Sequence, residues 1–174
     1  DEWIDRIFAV MAWADNQTFQ VLTKRPDRLR SYLDRRESDE ELLDSMCALC
    51  TATNGGLCGF PGDDCGLEGF EWPLPNVWLG VSAENQQYAD ERIPLLLQTP
   101  AAVRFVSCEP LLGPIELDAL WHEKTKSTVD ALTCEEASED CGELGTATLD
   151  WVIVGGESGP GWRPMDGCWA EEIR

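Results

Sequence analysis

Four short apolar runs in this 174-residue chain each end in a polar or charged cluster, and those clusters hold the residues best suited to chemistry. Lys24 and Arg25 follow Thr18–Thr23. Glu84 and Asn85 follow Val77–Val81. Cys108 and Glu109 follow Val103–Val106, and Glu157 and Ser158 follow Trp151–Val154. A carboxylate placed like Glu109, between Cys108 and Pro110, could take a proton, bind a metal or hold the amino group of a ligand. Its structural alternative is an ion pair with Lys24 or Arg25. Arg25 offers a guanidinium fork for a carboxylate or phosphate. Gly155-Gly156-Glu157-Ser158-Gly159-Pro160-Gly161 is a glycine-rich turn in which backbone N–H groups can approach an anion. Its spacing is neither that of a P-loop nor that of a G-x-G-x-x-G fingerprint. The alternative is a tight turn that needs positive φ.

A second set of candidates is built on sulfur. Cys47, Cys50, Cys58 and Cys65 stand in the pattern C-x2-C-x7-C-x6-C. Two thiolates three residues apart can share one metal, and four suit a structural Zn²⁺. The spacing is shorter than in a usual zinc ribbon, so disulfides and unligated thiols stay open beside zinc. Cys134 and Cys141 carry no such motif and read as solvated thiols; Cys168 opens a helical pattern and reads as packing. His122 is the single histidine and would have to serve any Ser-His-Asp or Cys-His site. At the edge of an acidic segment it reads as a surface residue, which argues against His-dependent hydrolysis.

These groups must be positioned by regular elements. The four runs are nearly continuous in apolar character and rich in β-branched and aromatic residues, as buried parallel strands are. Trp78 and Trp151 within them read as core, whereas Trp162 could be packing or a ligand stacker. Ile4, Ile7, Phe8, Met11 and Ala12 line one face of a helix. Pro26 followed by Asp27–Leu33 suits a helix with proline in its first turn. Asn85 can cap a helix running to about Leu97, with Pro94 as a break or kink. Another helix opens at Gly167. The order predicts an α/β protein with a parallel sheet, whose functional loops gather at the C-terminal strand ends. Lys24, Arg25, Glu84, Glu109 and Glu157 would then form one charged ring, suited to an anionic or zwitterionic small molecule.

Charge sharpens this picture. The formal net charge is −20, but residues 37–71 and 122–150 carry −15 of it and six of the eight cysteines. Both read as acidic insertions in a scaffold closer to neutral. The acidity argues against an unaided nucleic-acid surface, which needs clustered Lys and Arg. The basic stretch from Lys24 to Arg36 reads as a solvated helix face. No apolar run reaches the roughly 20 residues that span a bilayer, and no signal peptide is visible. A cytoplasmic location is the expectation.

The motifs Phe19–Pro26, Leu74–Ser82, Arg104–Pro114 and Asp150–Pro160 together resemble the phage gene-product 37 / gene-product 68 family, a domain-of-unknown-function family. The resemblance covers most of the chain outside the two acidic segments. It implies a TIM-barrel-like fold similar to radical-SAM enzymes, of which this chain would supply about four of eight strands; the remainder of the barrel would be its partner. It also implies S-adenosylmethionine and a [4Fe–4S] cluster in the full-length protein, the cluster held by three cysteines upstream of this fragment. On that reading Glu109 and Glu157 are the catalytic candidates. Lys24, Arg25, Glu84, Asn85, Gly155, Gly156 and Ser158 would bind the cofactor, and the fragment alone would be inactive. The alternatives are a non-catalytic phage-related scaffold and a nucleic-acid-modifying protein.

Overall fold

The computed structural model describes residues 2–34, 72–133 and 147–173. Helix α1 (Glu2–Trp13) leads into strand β1 (Phe19–Thr23) and helix α2 (Pro26–Asp34). Strand β2 (Val77–Ser82), helix α3 (Gln86–Leu97) and strand β3 (Val103–Cys108) form the next unit. A short hairpin, β4 (Leu120–His122) with β5 (Ser127–Val129), precedes strand β6 (Trp151–Val154) and helix α4 (Gly167–Glu172). All four predicted runs are strands, and they form one parallel sheet in the order β1-β2-β3-β6.

Sequential parallel order is what successive right-handed crossovers produce, and it sends the connections to one face. Side-chain alternation makes the two faces different. Val77, Leu79, Val81, Val106 and Cys108 pack into the main core with Phe8, Ala89, Ile93 and Leu96 of the helices. The opposite face carries residues in register: Leu22 beside Gly80, Gly80 beside Phe105, and Phe105 beside Trp151. Helices thus cover the first face of the sheet, and the second is left open. Trp78 and Trp151 were expected in the core. They lie instead on this second face, in edge contact with ring centroids 5.8 Å apart, and Trp151 is 44% exposed. Phe105 lies over Gly80, whose missing Cβ leaves room for the ring.

Other expectations hold in part. Asn85 caps α3 as predicted, its side chain accepting from the Tyr88 N–H, and Pro94 sits inside a helix that continues to Leu97. On α1, Phe8 and Met11 are buried but Ile7 is 55% exposed, so the buried stripe is narrower than the spacing suggested. Asn76 ties the start of β2 to the turn after α1: its amide nitrogen donates to the carbonyls of Met11, Ala14 and Gln17. Part of the segment 122–150, expected to be an acidic insertion, packs into the core. Val129, Ala131 and Leu149 belong to the core, and the hairpin packs against α3; residues 134–146 lie outside those described. His122 is accordingly buried rather than at the surface, with Nδ1 2.8 Å from Thr125 Oγ1. Cys168, expected to pack, is exposed at the start of α4.

Gly80→Ala should push the Phe105 ring out of place and cost about 1–3 kcal/mol, the usual penalty for overpacking. Thermal unfolding measures the loss, and Phe105→Leu on that background should recover part of it.

Candidate functional site

Period two carries the open face upward past the strand ends, and so decides which side chains meet there. Ser82 and Ser107 are register partners, Ser107 pairs with Ile153, and Lys24 continues β1 at the same level. Two residues further on, the equivalent positions are Glu84, Glu109 and Gly155. The strand-end residues of the sequence thus fall into two tiers, with Lys24, Ser82 and Ser107 below and two carboxylates above.

Glu84 is the most tightly held of these groups, 6% exposed. Its Oε1 accepts from Lys24 Nζ, and its Oε2 accepts from Arg92 Nη1 at 3.0 Å. The same Arg92 nitrogen donates to the Ser82 carbonyl at 2.8 Å, and the guanidinium lies 4.0 Å from the centroid of the Tyr88 ring. Burial pushes the Glu84 carboxyl upward. The Lys24 hydrogen bond, the residue's own N–H and the charges of Arg92 and Lys24 outweigh that and hold it below the usual carboxylate range. Lys24 therefore pairs with Glu84, not with Glu109. Its ammonium still reaches solvent, with the side chain 60% exposed, and it keeps donors to spare.

Glu109 is exposed at the top of β3, and among the described residues it has no ion-pair partner. Ser107 Oγ donates to its Oε2 at 3.3 Å. The carboxylate leans over Gly155: a Cβ there would stand 3.1 Å from Glu109 Cγ and Cδ, and closer still to Oε1. Gly155 is therefore required by the close approach of Glu109 rather than by backbone conformation, since its φ is not among the positive ones. The Glu-Pro-Leu-Leu segment is pinned over the strand ends, Leu111 N–H to the Gly155 carbonyl and Leu112 N–H to the Glu84 carbonyl.

The remaining candidates divide. Glu157 accepts from Arg163 through both carboxylate oxygens and also from the Arg163 backbone N–H. These bonds hold its pKa at about 2. It braces the glycine-rich turn, where Gly159 (φ 104°) and Gly161 (φ 78°) supply the positive φ expected of a tight turn. Gly156 and Ser158 are exposed in that turn. Arg25 is exposed and its backbone N–H donates to Thr23 Oγ1. Asn85 spends its side-chain oxygen on the helix cap. Burial pushes the Cys108 thiol up to about 12, helped by Glu109 and Glu84, so it is a packing group and not a nucleophile. Cys47, Cys50, Cys58 and Cys65 lie outside the described residues, and among those described no group of His, Cys, Asp or Glu is arranged to hold a metal ion. Sequence reasoning missed Arg92, Ser82 and Arg163. Arg92 is recoverable only as the helix position two turns after the cap residue, and Arg163 carries no spacing signal.

Fold and site together define an α/β protein with charged side chains gathered at the carboxyl ends of its parallel strands. The chain belongs to the family described as protein of unknown function (DUF5131), whose model matches residues 1–174. Searches of the curated proteins and of the solved structures gave no match.

Glu84 dictates a pH dependence. Its folded pKa lies below the ordinary value of 4.5, so its stabilisation is fully present above that value and is lost as pH falls through the folded pKa. Glu84→Gln should cost roughly 3–5 kcal/mol near neutral pH, because Arg92 is left buried without its counter-charge. The difference between variant and wild type, followed by thermal melts from pH 7 to pH 3, should shrink on acidification.

Proposed function

We propose that this chain forms the ligand-binding part of a radical-SAM-like barrel enzyme, acting on a small charged molecule at the C-terminal strand ends. The observation that supports it is the pair of unlike carboxylates. Glu84 is locked between Lys24 and Arg92, while Glu109 is exposed, uncompensated and backed by Gly155. A structural ion-pair network uses both partners up; here Glu109 and the outward part of the Lys24 ammonium remain for a ligand. Glu109 can accept a proton or hold an ammonium, and Lys24 can receive a carboxylate. That pairing suits S-adenosylmethionine, which carries both groups.

An iron–sulfur cluster is a separate question. A three-cysteine set is needed, whereas the described cysteines are Cys108, sealed in the core, and Cys168, exposed on α4. The described residues do not fit a cluster; three cysteines outside them would have to hold it, and it would supply the electron for cleavage, while Lys24 and Glu109 bind and orient the molecule. Association with phage genomes and a cytoplasmic location belong to the same reading. They rest on the strand-end motifs, and on there being no helix among the described residues long and apolar enough to cross a membrane.

The test is anaerobic assay of the full-length polypeptide for S-adenosylmethionine binding and for 5′-deoxyadenosine release. Wild type should show both. Glu109→Gln should lower turnover about a hundredfold or more, as loss of an acid–base group does, and Gly155→Ala should follow it by displacing the same carboxylate. Wild-type protein that neither binds nor cleaves the molecule would leave the scaffold reading in its place.

A further inference from the structure

Three arginines among the described residues, Arg30, Arg92 and Arg104, bury an Nε that makes no hydrogen bond. Arg30 Nε still lies 3.3 Å from Asp34 Oδ2, and Arg104 is only half-buried. Arg92 is different. The residue is 7% exposed, and both of its hydrogen bonds, to the Ser82 carbonyl and to Glu84 Oε2, leave from Nη1. The N–H groups of Nε and Nη2 run parallel along the edge of a guanidinium away from Nη1, a two-pronged donor. Among the described residues nothing accepts from that edge of Arg92. A buried charged donor left without a partner is costly. Charge points the same way. Lys24 and Arg92 bring two positive charges to one carboxylate, that of Glu84, so the group holds one positive charge in excess. Arg92 is the deeper of the two cations, its side chain 9% exposed against 60% for Lys24. Water can fill an N–H edge but cannot offset that charge; an oxyanion does both.

We infer that the free Nε–Nη2 edge of Arg92 is a binding site for a small oxyanion, a carboxylate or phosphoryl group held by two parallel N–H bonds. The Tyr88 ring, whose centroid is 4.0 Å from the guanidinium carbon, covers one face and fixes the plane of the fork. The site belongs to the helix layer and not to the open face of the sheet. Helix α3 brings Arg92 in from the side on which Ala89, Ile93 and Leu96 enter the main core, and α2 packs alongside. The anion site is thus separate from the rim of Lys24 and Glu109, and it does not depend on what that rim binds. The two are coupled through Glu84. An anion on the free edge draws on the same guanidinium that holds the Glu84 carboxylate, so occupation weakens that hold. By linkage, protonation of Glu84 tightens the anion by the same factor.

The test is NMR of the full-length protein with nitrogen-15 in its arginine side chains, titrated with sodium formate and with sodium phosphate against sodium chloride at matched ionic strength. The Arg92 Nε–H resonance should shift to saturation with formate or phosphate and stay in place with chloride. Saturation by formate alone assigns a carboxylate ligand and by phosphate alone a phosphoryl group; either supports the site. Arg92→Lys keeps a charge beside Glu84 but offers no fork, and should weaken the anion about tenfold or more in calorimetry. Glu109→Gln should leave anion affinity unchanged. The Glu84 titration midpoint should move upward when the anion is saturating. A wild-type Arg92 resonance that does not move, or that moves equally with chloride, overturns the inference whether or not the lysine variant folds. Displacement of the anion by S-adenosylmethionine also overturns it, since the two sites would then be one. Saturation of the Arg92 resonance in a protein that does not bind S-adenosylmethionine would uphold the anion site and remove only the function proposed above.

Discussion

Two cations converge on the carboxylate of Glu84, Lys24 from the end of β1 and Arg92 from the second turn of α3. Three elements of the chain, β1, β2 and α3, are joined by that one group. A carboxylate so deep needs such partners, because an unpaired buried charge would neutralise or unfold its surroundings. Arg92 can reach it only because Asn85 starts α3 immediately after Glu84, and the stacked Tyr88 ring holds the guanidinium at the required height. The Leu112 N–H bonded to the Glu84 carbonyl extends the same anchor to the segment that carries Glu109. Removing Glu84 therefore loosens the whole rim rather than a single side chain.

Two glycines show how tightly the rest is fitted around that anchor. At Gly80 the space of a side chain is taken by Phe105, and at Gly155 by the Glu109 carboxylate. Both lie on the open face of the sheet, one in its aromatic tier and one at its rim. In each case a side chain of β3 or of the residue just after it fills the space beside a glycine of the neighbouring strand or strand end. The result is a face layered from aromatic to hydroxyl to carboxylate over a few residues.

Much of this was legible in the sequence because it rests on local rules. The four apolar runs, the Asn85 cap and the gathering of charge at strand ends follow from periodicity and from the geometry of parallel sheets. What was not legible depended on partners distant in the chain. Lys24 had two carboxylates within plausible reach, and only register along β1 and β2 assigns it to Glu84. The burial of His122 depends on the hairpin folding back against α3, which an acidic, polar segment does not advertise. Trp78 and Trp151 read as core because a single strand cannot say which of its faces the helices will cover.

The central claim is that Glu84 is held ionised between Lys24 and Arg92 as the fixed point of the strand-end site. Carbon-13 NMR of protein labelled at the glutamate carboxyls, titrated from pH 7 to pH 2, tests it on the group itself. The account predicts a Glu84 resonance whose midpoint lies below the ordinary 4.5 and moves upward in Lys24→Met. A Glu84 carboxyl that titrates at or above the ordinary value, unmoved by loss of Lys24, would contradict it.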